Sequence, residues 1–134
     1  MTVSDKNLLD LFRQIVGLRA NWKCEFPGCN ACGEDLNPHH VFSRENKSIR
    51  YDPFASLWLC TPDHQFAHAE PTRFMATILI HRVRTVEWLN EVMTRKNQIV
   101  KFNNAFREQW KVKLLSEYLP YSRFGRPGHQ NARR

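Results

Sequence analysis

Apolar residues recur every three or four positions over residues 4–20, and this spacing predicts an amphipathic helix. Ser4 stands at the position of a helix N-cap. The predicted apolar face consists of Leu8, Leu11, Phe12, Ile15 and Leu18. The periodicity then stops in the segment NWKCEFPGCNACGEDLNP, which is rich in turn formers and cysteines. We therefore expect a knuckle there, held together by something other than an apolar core.

Two short β-prone segments, HHVF and SLWLC, flank the polar loop SRENKSIRYDPFA. The next segment, TPDHQFAHAE, carries the signals of a helix start. Thr61 can cap it, Pro62 suits its first position, and Asp63 favours the positive end of the helix dipole. Pro71 is expected to end or bend this helix. The middle of the chain is thus predicted to run strand, loop, strand, helix.

The last part of the chain has only helical periodicity. Thr72 and Thr85 stand as candidate caps before RFMATILIHRVR and VEWLNEVMTRK. A longer helix is predicted over about 98–118, because its apolar side chains share one face, as core contacts do. These side chains are Ile99, Phe102, Phe106, Trp110 and Leu114.

These patterns predict one α+β domain over residues 1–120, a length that suits a single compact core. Its parts are an N-terminal helix (4–20), the knuckle with two strands and a helix (22–70), and a helical extension (72–119). Residues 121–134 contain arginines but no acidic residue, so we expect a basic, flexible tail there.

Composition narrows the setting in which the chain works. Hydrophobic residues make up 42% of it and charged residues 25%, which is typical of globular proteins. No run approaches the roughly 20 apolar residues that span a bilayer, and the first residues lack an apolar signal segment. We therefore expect a cytoplasmic protein without a membrane partner, whose thiols stay reduced. Cysteines in such a chain predict metal binding rather than disulfides.

The four cysteines have the spacing of a zinc site. Cys24, Cys29 and Cys32 lie close together in the knuckle, and Cys60 ends the second predicted strand. Four thiolates around Zn²⁺ form a closed, tetrahedral structural site. We predict that this zinc ties the knuckle to the two strands.

The histidines form a separate set. His64 and His68 are four residues apart on a predicted helix, so their side chains share a face. His39 and His40 are neighbours on a predicted strand, where adjacent side chains point to opposite sides, so one of them can join the helical pair. Three imidazoles leave coordination positions open, as in catalytic metal sites. His81 lies outside this pattern.

The remaining histidine and a nearby arginine would complete a site suited to phosphodiester hydrolysis. A neutral imidazole is a suitable general base near pH 7. Arg44, which follows the histidine pair, can hold a phosphate. The net charge of +7, from 20 Lys and Arg against 13 Asp and Glu, predicts a polyanionic partner such as DNA.

The segments CNACGEDLNPHHVFSR and RYDPFASLWLCTPDHQFAH resemble the HNH, or His-Me finger, endonucleases. The preceding helix, LLDLFRQIVGLRANWKC, and the trailing segment AHAEPTRF also look like phage and prophage members of that family. The resemblance covers about residues 5–75. It implies a ββα-metal core that cleaves DNA with one divalent cation, which would be Mg²⁺, Mn²⁺, Ni²⁺ or Zn²⁺. Matched residue by residue, it implies that His40 is the general base. It also implies that the cation's ligands are His39, His64 and His68.

One departure from the family concerns its central asparagine, in whose place this chain has Ala55. In the family this asparagine helps to fix the loop and to position the base. Ser56, Asn46 or Asp52 could substitute for it. The departure motivates an alternative hypothesis, a zinc-stabilised DNA-binding module with impaired catalysis.

A second departure is Asp63, which stands where the family has its last zinc cysteine. Either Cys24 restores a set of four thiols, or the zinc is held by Cys29, Cys32, Cys60 and Asp63. We favour the four-thiol set, because thiolates are better zinc ligands than carboxylates.

The sequence thus predicts a metal-dependent DNA endonuclease with a separate structural zinc. The alternatives are the DNA-binding module and a purely structural zinc protein in which the histidines are incidental. Aromatic residues of the C-terminal helices could form either the core or a homodimer interface. They are Trp88, Phe102, Phe106 and Trp110.

Overall fold

The computed structural model describes residues 2–124, and over that part the chain folds into five α-helices and one two-stranded antiparallel sheet. The predicted α+β class is confirmed. Residues 125–134, which make up most of the predicted basic tail, lie outside the described residues. The elements are α1 (Asp5–Arg19), β1 (Asn37–His40), β2 (Ser56–Leu59), α2 (Thr61–Ala69), α3 (Pro71–Ile80), α4 (Val86–Lys96) and α5 (Asn104–Phe124).

Helix α1 forms for the reasons that its sequence indicates. The Ser4 hydroxyl accepts a hydrogen bond from the Asn7 N–H at 3.0 Å, so the predicted N-cap is confirmed. The helix ends where the Trp22 N–H donates to the Gly17 carbonyl at 2.8 Å, with Trp22 in the left-handed region at φ 60°. The buried face of the helix comprises Leu8, Phe12, Ile15, Val16, Gly17 and Leu18.

A Gly17→Ala substitution is expected to destabilise the fold by about 1–3 kcal/mol. A methyl group at this position would overlap the buried indole of Trp22, whose Cε3 and Cη2 atoms would lie 2.5 and 2.9 Å away. Thermal unfolding of both proteins would measure the loss. An unchanged melting temperature would show that the indole can move aside without cost.

The two strands pair in a register that separates the adjacent histidines. His39 lies opposite Leu57, and His40 lies opposite Ser56. β1 lies two residues nearer the N-terminus than the predicted segment HHVF, while every residue of β2 is buried. Two short 3₁₀ turns, Lys47–Ile49 and Pro53–Ala55, shape the loop between the strands.

Helix α2 begins one residue earlier than its predicted cap implies, and helix α3 begins two residues earlier. The N-cap of α2 is Cys60 rather than Thr61, and α3 begins at Pro71 rather than after Thr72. Proline lacks the N–H that the first helical turn leaves unbonded, so Pro71 can start a helix directly after the one that it terminates. At the other end of α2, only the N-cap residue Cys60 separates β2 from the helix that carries His64 and His68.

Helices α4 and α5 complete the C-terminal part. The Thr85 hydroxyl accepts from the Trp88 N–H at 3.1 Å, which confirms the predicted cap of α4. The predicted start of the last helix near residue 98 is wrong. The helix begins at Asn104, because the Asn103 side chain accepts from the Phe106 N–H at 3.0 Å and caps it there.

The core lies between α1, β2 and α5. Leu114 is buried in it, whereas Ile99, predicted for the same face, is fully exposed in the segment before α5. The aromatic residues proposed for either the core or a dimer interface pack within the chain. They are Trp88, Phe102, Phe106 and Trp110. The homodimer stays a prediction. Among the described residues, no helix combines the length and apolar character needed to cross a membrane.

Candidate metal centres and the histidine groove

Three histidines meet between β1 and α2. The ring nitrogens of His39, His64 and His68 that could bind a metal all lie within 4.8 Å of one another. The Nε2 atoms of His64 and His68 are 3.0 Å apart, and the His39 ring lies 5.2 and 5.1 Å from their ring centroids. The member of the adjacent pair that joins the helical histidines is therefore His39.

The His39 side chain has the properties of a neutral imidazole that could bind a metal. It is only 6% exposed, and its burial, together with His64 and His68, lowers its pKa to about 3. Its Nδ1 atom is buried without a hydrogen-bond partner in the part of the chain that the structure describes. A buried polar atom without a partner is costly, and a cation bound there would satisfy it. Since His68 is exposed, the cluster is open on one side, as catalytic metal sites are.

His40 lies on the other side of the strand and has different contacts. Its ring stacks on Phe12, with centroids 4.7 Å apart and planes inclined by 18°. Its Nε2 atom lies 2.9 Å from the carbonyl oxygen of Arg50. A carbonyl can only accept, so Nε2 carries the proton and Nδ1 keeps a lone pair. Burial lowers the pKa of His40 and favours this neutral form.

One groove of about 750 Å³ is lined by all four of these histidines. Arg44, the predicted phosphate contact, is exposed and lies on the same lining. Sequence reasoning missed Arg13 there. Its guanidinium donates to the Leu36 carbonyl at 2.7 Å and lies 4.7 Å from the Trp58 ring centroid, so it braces the knuckle.

A second cluster ties the knuckle to the start of α2. The potential ligand atoms of Cys24, Cys29, Cys60 and Asp63 all lie within 4.8 Å of one another. One oxygen of Asp63 is 3.2 Å from the Cys24 sulfur and 3.1 Å from the Cys60 sulfur. The Cys29 and Cys60 sulfurs are 3.7 Å apart. Three thiols and a carboxylate are a donor set that suits Zn²⁺.

This cluster differs from both zinc sets that the sequence suggested, because each of those included Cys32. Cys32 is exposed and pairs with Lys23 in an isolated antiparallel bridge. Partners in such a bridge share one side of the pleat, while Cys24, the neighbour of Lys23, points to the other side. Cys32 therefore shares the solvent side of Lys23, and Asp63 takes its place in the cluster.

Two thiols of the cluster have raised pKa values. Burial raises the pKa of the Cys24 thiol far above its ordinary value and also raises the pKa of Cys60. The Cys60 N–H lies 3.3 Å from the Cys24 sulfur and donates to it. The raised pKa values favour the protonated thiols. A bound divalent cation would favour the thiolates instead.

Ala55, in the place of the family's asparagine, is fully buried among apolar side chains. Its carbonyl accepts from the Val41 N–H at 3.0 Å, so the main chain there still joins the two strands. Asp52 accepts from the Phe54 N–H at 3.1 Å and pairs with Arg95 at 2.9 Å. Asp52 therefore fixes this end of the loop.

The other two candidate substitutes for the asparagine do less. The Asn46 side chain donates to the Ser43 carbonyl at 2.9 Å and stabilises the far end of the loop. The Ser56 hydroxyl is buried and has no partner within the described residues.

A charged network missed by sequence reasoning borders the His40 side of the loop. Arg50 donates through Nε and Nη2 to the two carboxylate oxygens of Asp5, each at 2.8 Å. The Tyr51 hydroxyl donates to the same carboxylate at 2.5 Å. No local pattern reveals this contact, because Asp5 and Arg50 are 45 positions apart.

The Asp5 carboxylate is expected to make stability depend on pH in the acid range. The hydrogen bond from Arg50, with smaller contributions from Tyr51 and Lys47, lowers its pKa from 3.8 to about 2. A lowered acid pKa contributes stability above pH 4, and that contribution disappears as the pH falls through about 2. With the carboxylate 44% exposed, solvent screening limits the effect to about 1 kcal/mol.

Urea unfolding of the wild-type chain and an Asp5→Asn variant between pH 5 and pH 2 would measure this contribution. The stability difference should shrink across the interval. A difference independent of pH would contradict the assignment to this carboxylate.

Comparison with known proteins gives this site no relative. The chain matches no protein-family model, no curated protein and no solved structure. What the site does must therefore be inferred from its own geometry and from the residues described above.

Proposed function

We propose that this protein is a metal-dependent DNA endonuclease of the HNH, or His-Me finger, type. The observation that carries the proposal is that His39 and His40 have different positions and contacts. One joins two helical histidines in a cluster that could hold a cation, and the other lines the same groove with a free Nδ1 lone pair. The order β1, β2, α2 supports a ββα-metal core, in agreement with the motifs of the sequence.

The residues of the groove have distinct roles in the proposed hydrolysis. His39, His64 and His68 would hold one divalent cation, which would supply positive charge to neutralise the scissile phosphate and stabilise the leaving oxygen. His40, with its proton held at Nε2, accepts a proton from the attacking water at Nδ1. Arg44, exposed on the same lining, holds a phosphate oxygen of the substrate.

We also propose that zinc occupies the cluster of Cys24, Cys29, Cys60 and Asp63. This site has a structural role, because it joins the knuckle to the first turn of α2. Asp63 directly precedes His64, so the zinc would hold the helix turn from which the catalytic ligand projects.

DNA is the proposed substrate on the basis of charge and groove chemistry. The chain carries a net charge of +7, and Arg44 lies beside the histidines on an open groove. A phage or prophage origin is supported by the sequence motifs alone.

Ala55 favours a second candidate, a zinc-stabilised DNA-binding module that does not cleave. An alanine cannot supply the polar contact of the family's asparagine, and here it is buried among apolar side chains. In this alternative the positively charged side chains of the groove bind DNA, and the histidines take no part in catalysis.

Cleavage of supercoiled plasmid separates these candidates. The purified chain is incubated with Mg²⁺, Mn²⁺ or Ni²⁺, and parallel reactions contain a chelator. Gel mobility shifts with duplex DNA report binding in the same buffers. Nicked or linear product that depends on added metal supports the endonuclease. Binding without cleavage under every metal supports the module, and the absence of both excludes the two candidates together.

A further inference from the structure

The histidines of the groove do not by themselves fix the orientation of the proposed general base, His40. A general base must present one nitrogen in one orientation, and the family residue that does this is replaced by Ala55. The His40 ring stacks on Phe12, and its Nε2 atom is hydrogen-bonded to the Arg50 carbonyl. A flat stack is compatible with two ring orientations related by a half-turn flip about the Cβ–Cγ bond, and the hydrogen bond to the carbonyl favours one of them.

We infer that Arg50, anchored by Asp5, is the positioning residue for His40 and takes over the role of the missing asparagine. The inference rests on the proposed function for its catalytic meaning, but the hydrogen bond itself does not. The Arg50 carbonyl accepts the Nε2 proton at 2.9 Å, and this tautomer leaves the lone pair on Nδ1.

The side chain of Arg50 determines where its carbonyl lies. Two hydrogen bonds of 2.8 Å join its guanidinium to Asp5 in the first turn of α1, and its side chain is only 14% exposed. Tyr51, which is fully buried, donates to the same carboxylate. The peptide that carries the carbonyl therefore lies between two residues tied to one helix.

The same guanidinium reaches the proposed phosphate contact. Arg50 Nη1 donates to the carbonyl oxygen of Arg44 at 3.2 Å. One side chain thus holds both ends of the loop segment that runs from Arg44 to Arg50. A change at Asp5 should disturb the base and the phosphate contact while leaving the His39, His64 and His68 cluster intact.

Asp5→Ala is the main test, and Asp5→Asn is its conservative partner because it keeps an oxygen acceptor. We expect kcat to fall about 10- to 100-fold for alanine and less for asparagine. Glu117→Gln is the matched control. It weakens another two-bond Arg–carboxylate pair of α1, that of Arg19 and Glu117 at 2.7 and 2.6 Å, outside the histidine groove.

A second readout does not depend on cleavage. Nitrogen NMR of the imidazole rings reports the tautomer, with the His40 signals assigned by their loss in His40→Ala. We expect a single Nε2–H form in the wild-type chain and in Glu117→Gln, and a mixture of tautomers in Asp5→Ala. Isothermal titration with Mn²⁺ or Ni²⁺ should give the same affinity for all of them, which excludes general unfolding.

The outcomes distinguish this inference from the proposed function. If Asp5→Ala keeps the wild-type tautomer and kcat, the positioning role is wrong. If Asp5→Ala loses metal affinity as well, the network is only structural and the inference is also wrong. If the wild-type chain cleaves nothing, the proposed function fails, and the tautomer comparison alone decides the inference.

Discussion

A His40→Ala variant is expected to cleave supercoiled plasmid about 100- to 10,000-fold more slowly than the wild-type chain. The variant lacks the Nδ1 lone pair that the Arg50 carbonyl leaves available. It retains His39, His64 and His68, whose nitrogens cluster on the other side of β1. Initial rates of plasmid nicking under a saturating divalent cation would measure the loss.

Two controls make this prediction specific. His81→Ala removes an exposed histidine outside the groove and should cleave at the wild-type rate. The affinity of His40→Ala for Mn²⁺ or Ni²⁺ should equal that of the wild-type chain. Equal cleavage by His40→Ala and the wild-type chain would show that another group acts as the base.

Cys60→Ser is expected to abolish binding of the proposed zinc and to destabilise the domain by about 3–5 kcal/mol. Cys60 lies between two parts of the cluster, since its sulfur is 3.7 Å from that of Cys29 and 3.1 Å from the Asp63 carboxylate. The loss is large beside the roughly 5–15 kcal/mol that stabilises a typical domain. Metal analysis of the purified protein and thermal unfolding would measure the two effects.

Cys32→Ser is the matched control, because it makes the same chemical change in the same knuckle. Cys32 is exposed and lies outside the cluster, so its variant should keep about one zinc per chain and the wild-type melting temperature. If Cys32→Ser loses zinc and Cys60→Ser keeps it, the assignment of ligands is wrong.

Local patterns were sufficient for most of the helices. The caps at Ser4 and Thr85 and the face shared by His64 and His68 depend on residues within one or two turns of each other. The exact helix boundaries were predicted less well, because a single capping residue can decide them. Asn103, rather than the periodicity near residue 98, decides where α5 begins.

The cluster of three cysteines and Asp63 shows where local reasoning fails. Spacing groups Cys24, Cys29 and Cys32, but it does not say which side of the knuckle each thiol occupies. The bridge between Lys23 and Cys32 settles that, and it leaves the fourth position to an aspartate from another element. Cross-strand pairing is a tertiary property, so composition and spacing could not predict it.

The sequence by itself determined the α+β class, the short strands around a polar loop, and the existence of two sets of candidate metal ligands. Each depends on periodicity or residue chemistry that is readable along the chain. Strand alternation left open which histidine of the adjacent pair joins His64 and His68; the family resemblance pointed to His39, which lies beside them in the structure. Only the tertiary structure decided that Asp63 rather than Cys32 joins the cysteines, and that Arg50 holds His40. These choices depend on contacts between residues far apart in sequence, which form when β1 and α1 pack against the rest of the core.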